Sequence, residues 1–358
     1  MNQMKSLMLL CVYISVASVV AAQPLKVGVA GLSHDHAYGL MSQYKNGEVI
    51  ILGIAESNRQ LADRYKQKWQ LPDSIFYTTV DEMLKHIQPD AVLAYNAIAD
   101  HLSVVEACAP KGISVMVEKP LATTVKQAER MVALANQYHI KILTNYETTW
   151  YPSNQQVFEM VHTEHAIGGI RKMIVHDGHQ GPKEIGCSKD FLEWLTEPVK
   201  NGGGALTDFG CYGANLMTWL MQGKAPVSVS AVTHQIKPAM YPHVDDDATV
   251  LLEYADATGI IEASWNWPFG IKDMEVFGES GYLHALNSNN LERRDTNTYY
   301  KVPVKMPAYT NNLNYFADVL RNKISPVNDL SSLENNVIVV RILEAAKESA
   351  RTEKKIRL

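Results

Sequence analysis

The first residues whose types and spacing suggest chemistry lie in Gly28-Val29-Ala30-Gly31-Leu32-Ser33-His34-Asp35-His36. A tight turn from a strand into a helix aims backbone N–H groups and the positive end of a helix dipole at one point, where a pyrophosphate can sit. The dinucleotide fingerprint G-x-G-x-x-G, begun at Gly31, requires glycines at 33 and 36. Ser33 and His36 stand there instead. Ser33 is small enough for close backbone approach, and His34 or His36 can donate to a phosphate oxygen. Glu56 follows 25 residues after Gly31. A carboxylate there can accept both ribose hydroxyls of NAD and repel the 2′-phosphate of NADP, so NAD is the expected cofactor. The same residues also suit a plain tight turn with surface histidines and a helix-start acid. A His-x-His metal pair has no carboxylate or cysteine cluster to support it, and no metal is expected.

The elements that must position these groups alternate regularly. KVGVAG (26–31) and VIILGIAE (49–56) read as buried strands, with a helix across 34–45 between them and another across 58–69. DAVLAY (90–95), ISVMVEK (113–119) and IKILTNY (140–146) continue the strands, separated by helices across 101–111 and 125–139. This alternation requires a parallel sheet with right-handed crossovers, and ligands then bind outside the carboxyl ends of the strands. After Trp150 a helix (153–164) leads into strand-like runs that follow one another with hairpin-like breaks, which predicts a mostly antiparallel sheet. The expected architecture is a Rossmann-type α/β doubly wound domain (23–147) followed by an α+β domain (148–358) with an open sheet.

Composition excludes several classes. With 46% hydrophobic and 20% charged residues, the chain is neither disordered nor low-complexity. Net charge is −5 with no basic block, which argues against nucleic acid as partner. Residues 1–22 read as a secretion signal: Lys5, an apolar run from Ser6 to Val20, and small residues at Val20-Ala21-Ala22. The run is short for a membrane anchor, so an exported, periplasmic protein with no membrane attachment after cleavage is expected. Cys108, Cys187 and Cys211 then remain, either as one disulfide plus a free thiol or as three unpaired thiols.

ISVMVEKPLATTVKQAERMVALA (113–135) resembles the Glu-Lys-Pro segment of the Gfo/Idh/MocA oxidoreductases. YNAIADHLSVVEACAPKG (95–112), WLTEPVKNGGGALTDFGCYGANLMTWL (194–220) and VDDDATVLLEYADATGIIEASWNWP (244–268) resemble that family's third βα unit, glycine-rich run into the catalytic helix, and second-domain sheet. The resemblance spans roughly residues 25 to 345 in the family's order. It implies NAD(P)-dependent chemistry on sugars, polyols or related alcohols between two domains. It places Asn96, His101 and Glu118 at the cofactor and Lys119 at the catalytic lysine. Asp208 and Tyr212 fall on the family's Asp and, four residues on, its His-or-Tyr position, matching the Tyr version.

Alcohol oxidation needs a base for the hydroxyl proton and a nicotinamide for the hydride. A phenol titrates near 10, and a neighbouring ammonium lowers that value. The resemblance therefore implies Tyr212 as proton acceptor, Lys119 as its charge partner and Asp208 as orienting group on the same helix face. Each also has a bland reading: Lys119 as a strand-end cation, Tyr212 as a core aromatic, Asp208 as a helix-start acid. Trp150, Asp177 and His179 are the expected substrate contacts, with Trp265 and Trp267 as possible stacking faces for a sugar. Asp245-Asp246-Asp247 reads as a solvated strand start. The expected activity is oxidation or reduction of a sugar or glycoside hydroxyl. The alternatives are redox-assisted glycoside cleavage or silent sugar binding on the same fold. The resemblance also implies self-association through the second-domain sheet.

Overall fold

The computed structural model of the chain describes residues 23–358; the expected secretion signal lies outside them. Six parallel strands build the first sheet: β1 (Leu25–Ala30), β2 (Val49–Ala55), β3 (Phe76–Tyr77), β4 (Ala91–Ala94), β5 (Ser114–Glu118) and β6 (Ile142–Asn145). Their order is β3-β2-β1-β4-β5-β6, so the chain reverses direction beside β1, where such sheets open a crevice. The helices are α1 (Ala37–Lys45), α2 (Arg59–Trp69), α3 (Val80–His86), α4 (His101–Cys108) and α5 (Val125–Tyr138). Strands such as Ala91–Ala94 and Ser114–Glu118 are buried at every position, as a sheet covered on both faces demands. The predicted helix across 34–45 starts three residues late. His34 and Asp35 remain in the turn, where the His34 and Asp35 carbonyls accept the Ala37 and Tyr38 N–H groups.

The second half contains α6 (Pro152–His162), β7 (Ile170–Gly178), α7 (Lys189–Leu195), α8 (Pro198–Asn201), α9 (Ala205–Asp208) and α10 (Gly210–Leu220). Strands β8 (Ser228–His234), β9 (Asp247–Glu253), β10 (Thr258–Ser264), β11 (Ile271–Gly278), β12 (Tyr282–Asn287), β13 (Asn290–Arg294) and β14 (Tyr299–Val302) follow. The chain ends in α11 (Asn312–Leu320), α12 (Leu333–Thr352) and β15 (Ile356–Arg357). The nine-stranded sheet runs β14-β13-β12-β11-β7-β10-β9-β8-β15. It is antiparallel except at its centre, where β7 pairs parallel with β10. Met173, Val175 and Asp177 of β7 alternate onto the buried face, which α10 covers with Tyr212, Leu216 and Met217.

Two features lock the halves together. The α11–α12 segment returns to the first domain: Thr144 N–H donates to the Ser331 carbonyl at 3.0 Å, and Phe316 joins the first-domain core. Lys347 of α12 donates to the carbonyls of Thr123 and Gly202, bridging both halves. The three consecutive aspartates are not a solvated strand start. Asp245 accepts the Gly204 and Leu206 N–H groups, Asp246 those of Ile236 and Lys237, and Asp247 the Ser264 hydroxyl. Gly204 lies so close that an added Cβ would meet the Asp245 carbonyl oxygen at 1.7 Å, so the glycine-rich run is a packing requirement. Cys108, Cys187 and Cys211 are all free. Among the described residues no helix is long and apolar enough to cross a membrane.

Candidate active site

A cavity of about 470 Å³ runs over the carboxyl ends of β1, β2 and β4, lined by Gly31, Ser33, Glu56, Thr79 and Asn96 and roofed by Trp194 of α7. Gly31 takes φ +77°, and a Cβ there would meet Asn96 at 2.7 Å; only glycine lets the turn lie this close to β4. Glu56 fixes the turn by accepting the Leu32 and Asn58 N–H groups at 2.8 Å each. Burial raises its pKa above the ordinary value despite these bonds. Asn96 Oδ1 is buried without a partner, an acceptor held ready for a ligand donor. The Gly31 and Leu32 N–H groups are used within the turn, on the Ala55 carbonyl and Glu56, so the groups that fit a dinucleotide are the Ser33 N–H and hydroxyl, the Glu56 carboxylate and Asn96 Oδ1.

The histidines of the turn do other work. His34 is buried, and its Nδ1 accepts the His36 N–H at 3.1 Å. Its ring packs on Phe191 and Trp194 of α7, 4.7 and 5.5 Å away. Burial first, then the charges of His36 and Lys119, hold its pKa well below the usual value, so it is a neutral ring whose Nδ1 accepts and whose Nε2 carries the proton. His36 Nδ1 sits 2.8 Å from Glu118 Oε2, and Asn145 donates to Glu118 Oε1. His34, His36 and Glu118 thus form a carboxylate-bearing cluster that the sequence order conceals. Both ring Nδ1 atoms are already engaged, and no metal site is assigned. His101 does not line the cavity: it is fully buried, its Nδ1 lies 3.2 Å from the Leu121 carbonyl, and burial drives its pKa to about 4. It pins the loop after Glu118-Lys119-Pro120.

Beside this crevice lies a cluster of charges. Lys119 Nζ, at the end of β5, meets Asp208 Oδ1 at 2.5 Å and the Asp208 carbonyl at 2.9 Å, and both side chains are buried. Burial alone would lower the lysine pKa and raise that of the acid. The mutual attraction outweighs burial in both, so Lys119 moves up and Asp208 down. Trp265 Nε1 donates to Asp208 Oδ2 at 3.0 Å. Trp265 is therefore a buried orienting group and offers no face to a sugar, while Trp267 packs against Gly178.

Asp208 and Tyr212 do not share one continuous helix: it breaks at Phe209, between α9 and α10. Lys119 Nζ sits over the Tyr212 ring at 5.0 Å, and Lys272 Nζ lies over the same ring at 4.3 Å. With Lys119 committed to Asp208, the expected lowering of the phenol pKa does not occur. Burial, then Asp177 and other negative neighbours, push it well above 10, so Tyr212 rests as a neutral phenol.

Comparison with known proteins decides the lineage. Residues 25–146 match the description "Oxidoreductase family, NAD-binding Rossmann fold", and residues 155–284 match "GFO/IDH/MocA C-terminal domain". The chain belongs to the Gfo/Idh/MocA oxidoreductase family. It is 23% identical over 205 residues to a trans-1,2-dihydrobenzene-1,2-diol dehydrogenase of Xenopus tropicalis, covering 57% of each protein. It thus spans somewhat over half the length of that relative. An aldose-aldose oxidoreductase from Caulobacter crescentus complexed with glycerol superposes with TM-score 0.78 at 21% identity, covering 94% of this chain and 100% of that one. An inositol dehydrogenase homolog from Azotobacter vinelandii complexed with NAD+ gives 0.80 at 16%, covering 94% and 98%.

Within this Gfo/Idh/MocA site the turn after β6 and the end of β7 contribute groups of two kinds. His179 and Trp150 are held by their own neighbourhoods: His179 Nδ1 accepts the Gly181 N–H, and Trp150 Nε1 donates to Asn145 Oδ1. Trp150 also lines a second cavity of about 530 Å³ with Glu118, Asn145 and Glu147. Asp177 is different. It is 1% exposed, and neither carboxylate oxygen has a hydrogen-bond partner. Lys272 of β11, absent from the sequence reading, lies 3.7 Å from Asp177 and 2.8 Å from Glu147. No local pattern marks Lys272; only the pairing of β7 with β11, which sets Asp177 opposite Lys272, brings it to the site.

Proposed function

We propose that this protein is an exported NAD-dependent oxidoreductase that moves a hydride between a hydroxyl-bearing carbon of a sugar or glycoside and nicotinamide. The observation that carries this reading is the buried Lys119–Asp208 pair, oriented by Trp265 and set beside the crevice that Gly31, Glu56 and Asn96 line. Bound NAD supplies the hydride acceptor. The remaining work belongs to the chain. Lys119 presents an ammonium whose charge stabilises the substrate oxygen as its proton leaves. Asp208 holds that ammonium in place, and neutral Tyr212 supplies a hydroxyl for the same oxygen. Burial of the whole group excludes water and strengthens each of these interactions.

A sugar-like substrate is supported by the polyols and aldoses named for the structural relatives and by the density of hydrogen-bonding groups around the cleft. Export is supported by the Lys5, Ser6–Val20 and Val20-Ala21-Ala22 pattern. The test is turnover of aldoses, polyols and glycosides by the purified chain with NAD, followed at 340 nm with product analysis. NADH formed together with a carbonyl product supports the reading. Aglycone release without net NADH would move it to redox-assisted glycoside cleavage. Absence of turnover with every hydroxyl compound would overturn it.

A further inference from the structure

The start of α7 is fastened against the dinucleotide crevice on both sides of one acid. Ser188 N–H donates to the Asp35 carboxylate at 2.9 Å, and the Ser188 hydroxyl caps the helix by accepting the Phe191 N–H. The Phe191 and Trp194 rings pack on His34. Asp190 sits between these anchors and lines the same cavity as Glu56, Ser57 and Asn58. Its backbone is therefore held by contacts that its own side chain does not make.

The charges along this cavity are unequal. Glu56, Asp81, Asp100, Asp190 and Glu193 line it, with Lys200 as the cation among the lining residues. Burial raises the Asp100 pKa and nearby Lys200 opposes the rise, so Lys200 stands on the flank beyond β4. Glu56 stands on the other flank, after β2. Burial first, and with it the charge of Asp190, raises the Glu56 pKa against the backbone N–H groups that lower it. Two carboxylates, one from each domain, thus share the Glu56 end of the crevice.

Asp190 also binds an arginine. Its Oδ2 lies 2.5 Å from Arg64 Nη2, with the guanidinium side chain 53% exposed. Arg64 stands on α2 one turn after Leu61, which lines the cavity. An arginine near this end of such a crevice suits a 2′-phosphate, because a guanidinium offers two parallel hydrogen bonds to phosphate oxygens. Here Arg64 is turned to Asp190 instead. Surface pairs of this kind add little to stability.

We infer that Asp190 is a determinant of cofactor choice: with Glu56 it repels a 2′-phosphate, and it keeps Arg64 from receiving one. The inference rests on the NAD-dependent reading above. Removing the Asp190 side chain takes away one repulsion and frees one guanidinium. Both changes act on the phosphate that NADP carries and NAD lacks.

The test is calorimetric titration of the full chain with NAD+ and with NADP+, in the absence of any hydroxyl substrate. The wild type binds NAD+ more tightly. In Asp190→Ala the affinity for NADP+ relative to NAD+ rises by at least about tenfold, the effect of one charged hydrogen bond gained. The gain shrinks as salt is raised, since exposed charges carry it. Adding Arg64→Ala to Asp190→Ala removes most of the gain. Should Asp190→Ala fail to fold, Asp190→Asn keeps the shape, drops the charge and carries the same comparison. An unchanged affinity ratio in a folded Asp190 variant overturns the inference and leaves the oxidoreductase reading standing. An equal gain with and without Arg64 overturns it too. A wild type that binds neither nucleotide removes the reading beneath it and the inference with it.

Discussion

Replacing Lys119 by Met tests the charge pairing at the centre of the site. The ammonium and the Asp208 carboxylate are 6% and 8% exposed and 2.5 Å apart. Met keeps much of the stem and removes the charge, so Asp208 is left buried with Trp265 Nε1 as its remaining side-chain donor. Breaking one side of a buried pair costs about 3–5 kcal/mol, a large share of the stability of an ordinary domain. Asp208 has a folded-state pKa below its ordinary value, so its contribution is present above the unfolded pKa near 4 and is lost as pH falls through the folded value. In Lys119→Met that pKa rises, and the variant is most destabilised at pH 8 and less so near pH 5. Urea unfolding at both pH values measures the loss. The double variant Lys119→Met/Asp208→Asn removes both charges and is more stable than the sum of the singles by at least about 2 kcal/mol. A loss below about 1 kcal/mol in the single variant, or strict additivity in the double, would refute a buried interdependent pair.

Four further outcomes follow from the geometry. Trp265→Phe keeps the buried ring but removes the donor to Asp208, costing about 1–2 kcal/mol in unfolding free energy and lowering kcat more than it raises KM. Glu56→Ala weakens NAD binding by roughly tenfold, about 1.4 kcal/mol, and narrows the preference over NADP, both measurable by calorimetry. Tyr212→Phe lowers the oxidation rate by at least about tenfold, because it removes the hydroxyl that α10 offers to the substrate oxygen; a rate within about twofold of the wild type would refute that contact. Asp177→Asn stabilises the fold at pH 8 by up to about 4 kcal/mol and has little effect near pH 4, because a carboxyl whose folded pKa is raised to about 7 loses stability as pH climbs from about 4 to 7. Thermal unfolding at the two pH values reads the difference.

The first domain was legible because its strands are buried on both faces and read as unbroken apolar runs, while the helices between them carry a 3.6-residue pattern. What escaped was short: Phe76–Tyr77 and Val80–His86 offer too few residues to show a period. In the second domain the hairpin rhythm was readable, but the parallel pairing of β7 with β10 joins strands about eighty residues apart, with nothing local to announce it. The break at Phe209 was hidden for the opposite reason, since Gly210 to Leu220 continues as a wholly buried helix.

Among the candidate site residues, those whose location is set by position along one strand or turn were legible in the sequence: Gly31 and Glu56 line the crevice and Lys119 and Asp208 pair beside it. Roles set by the balance of charges in three dimensions were not. Lys119 and Tyr212 were expected to share a proton relationship because an ammonium beside a phenol lowers its pKa. That holds only where the ammonium outweighs burial and the neighbouring carboxylates, and at Tyr212 burial and Asp177 prevail. Lys272 restores a cation near the ring at 4.3 Å, yet Glu147 engages it from the other domain. Each lysine is thus committed before the phenol can benefit. Asp177 is the carboxylate that neither lysine fully neutralises, and only the pairing of strands β7 and β11 makes it visible.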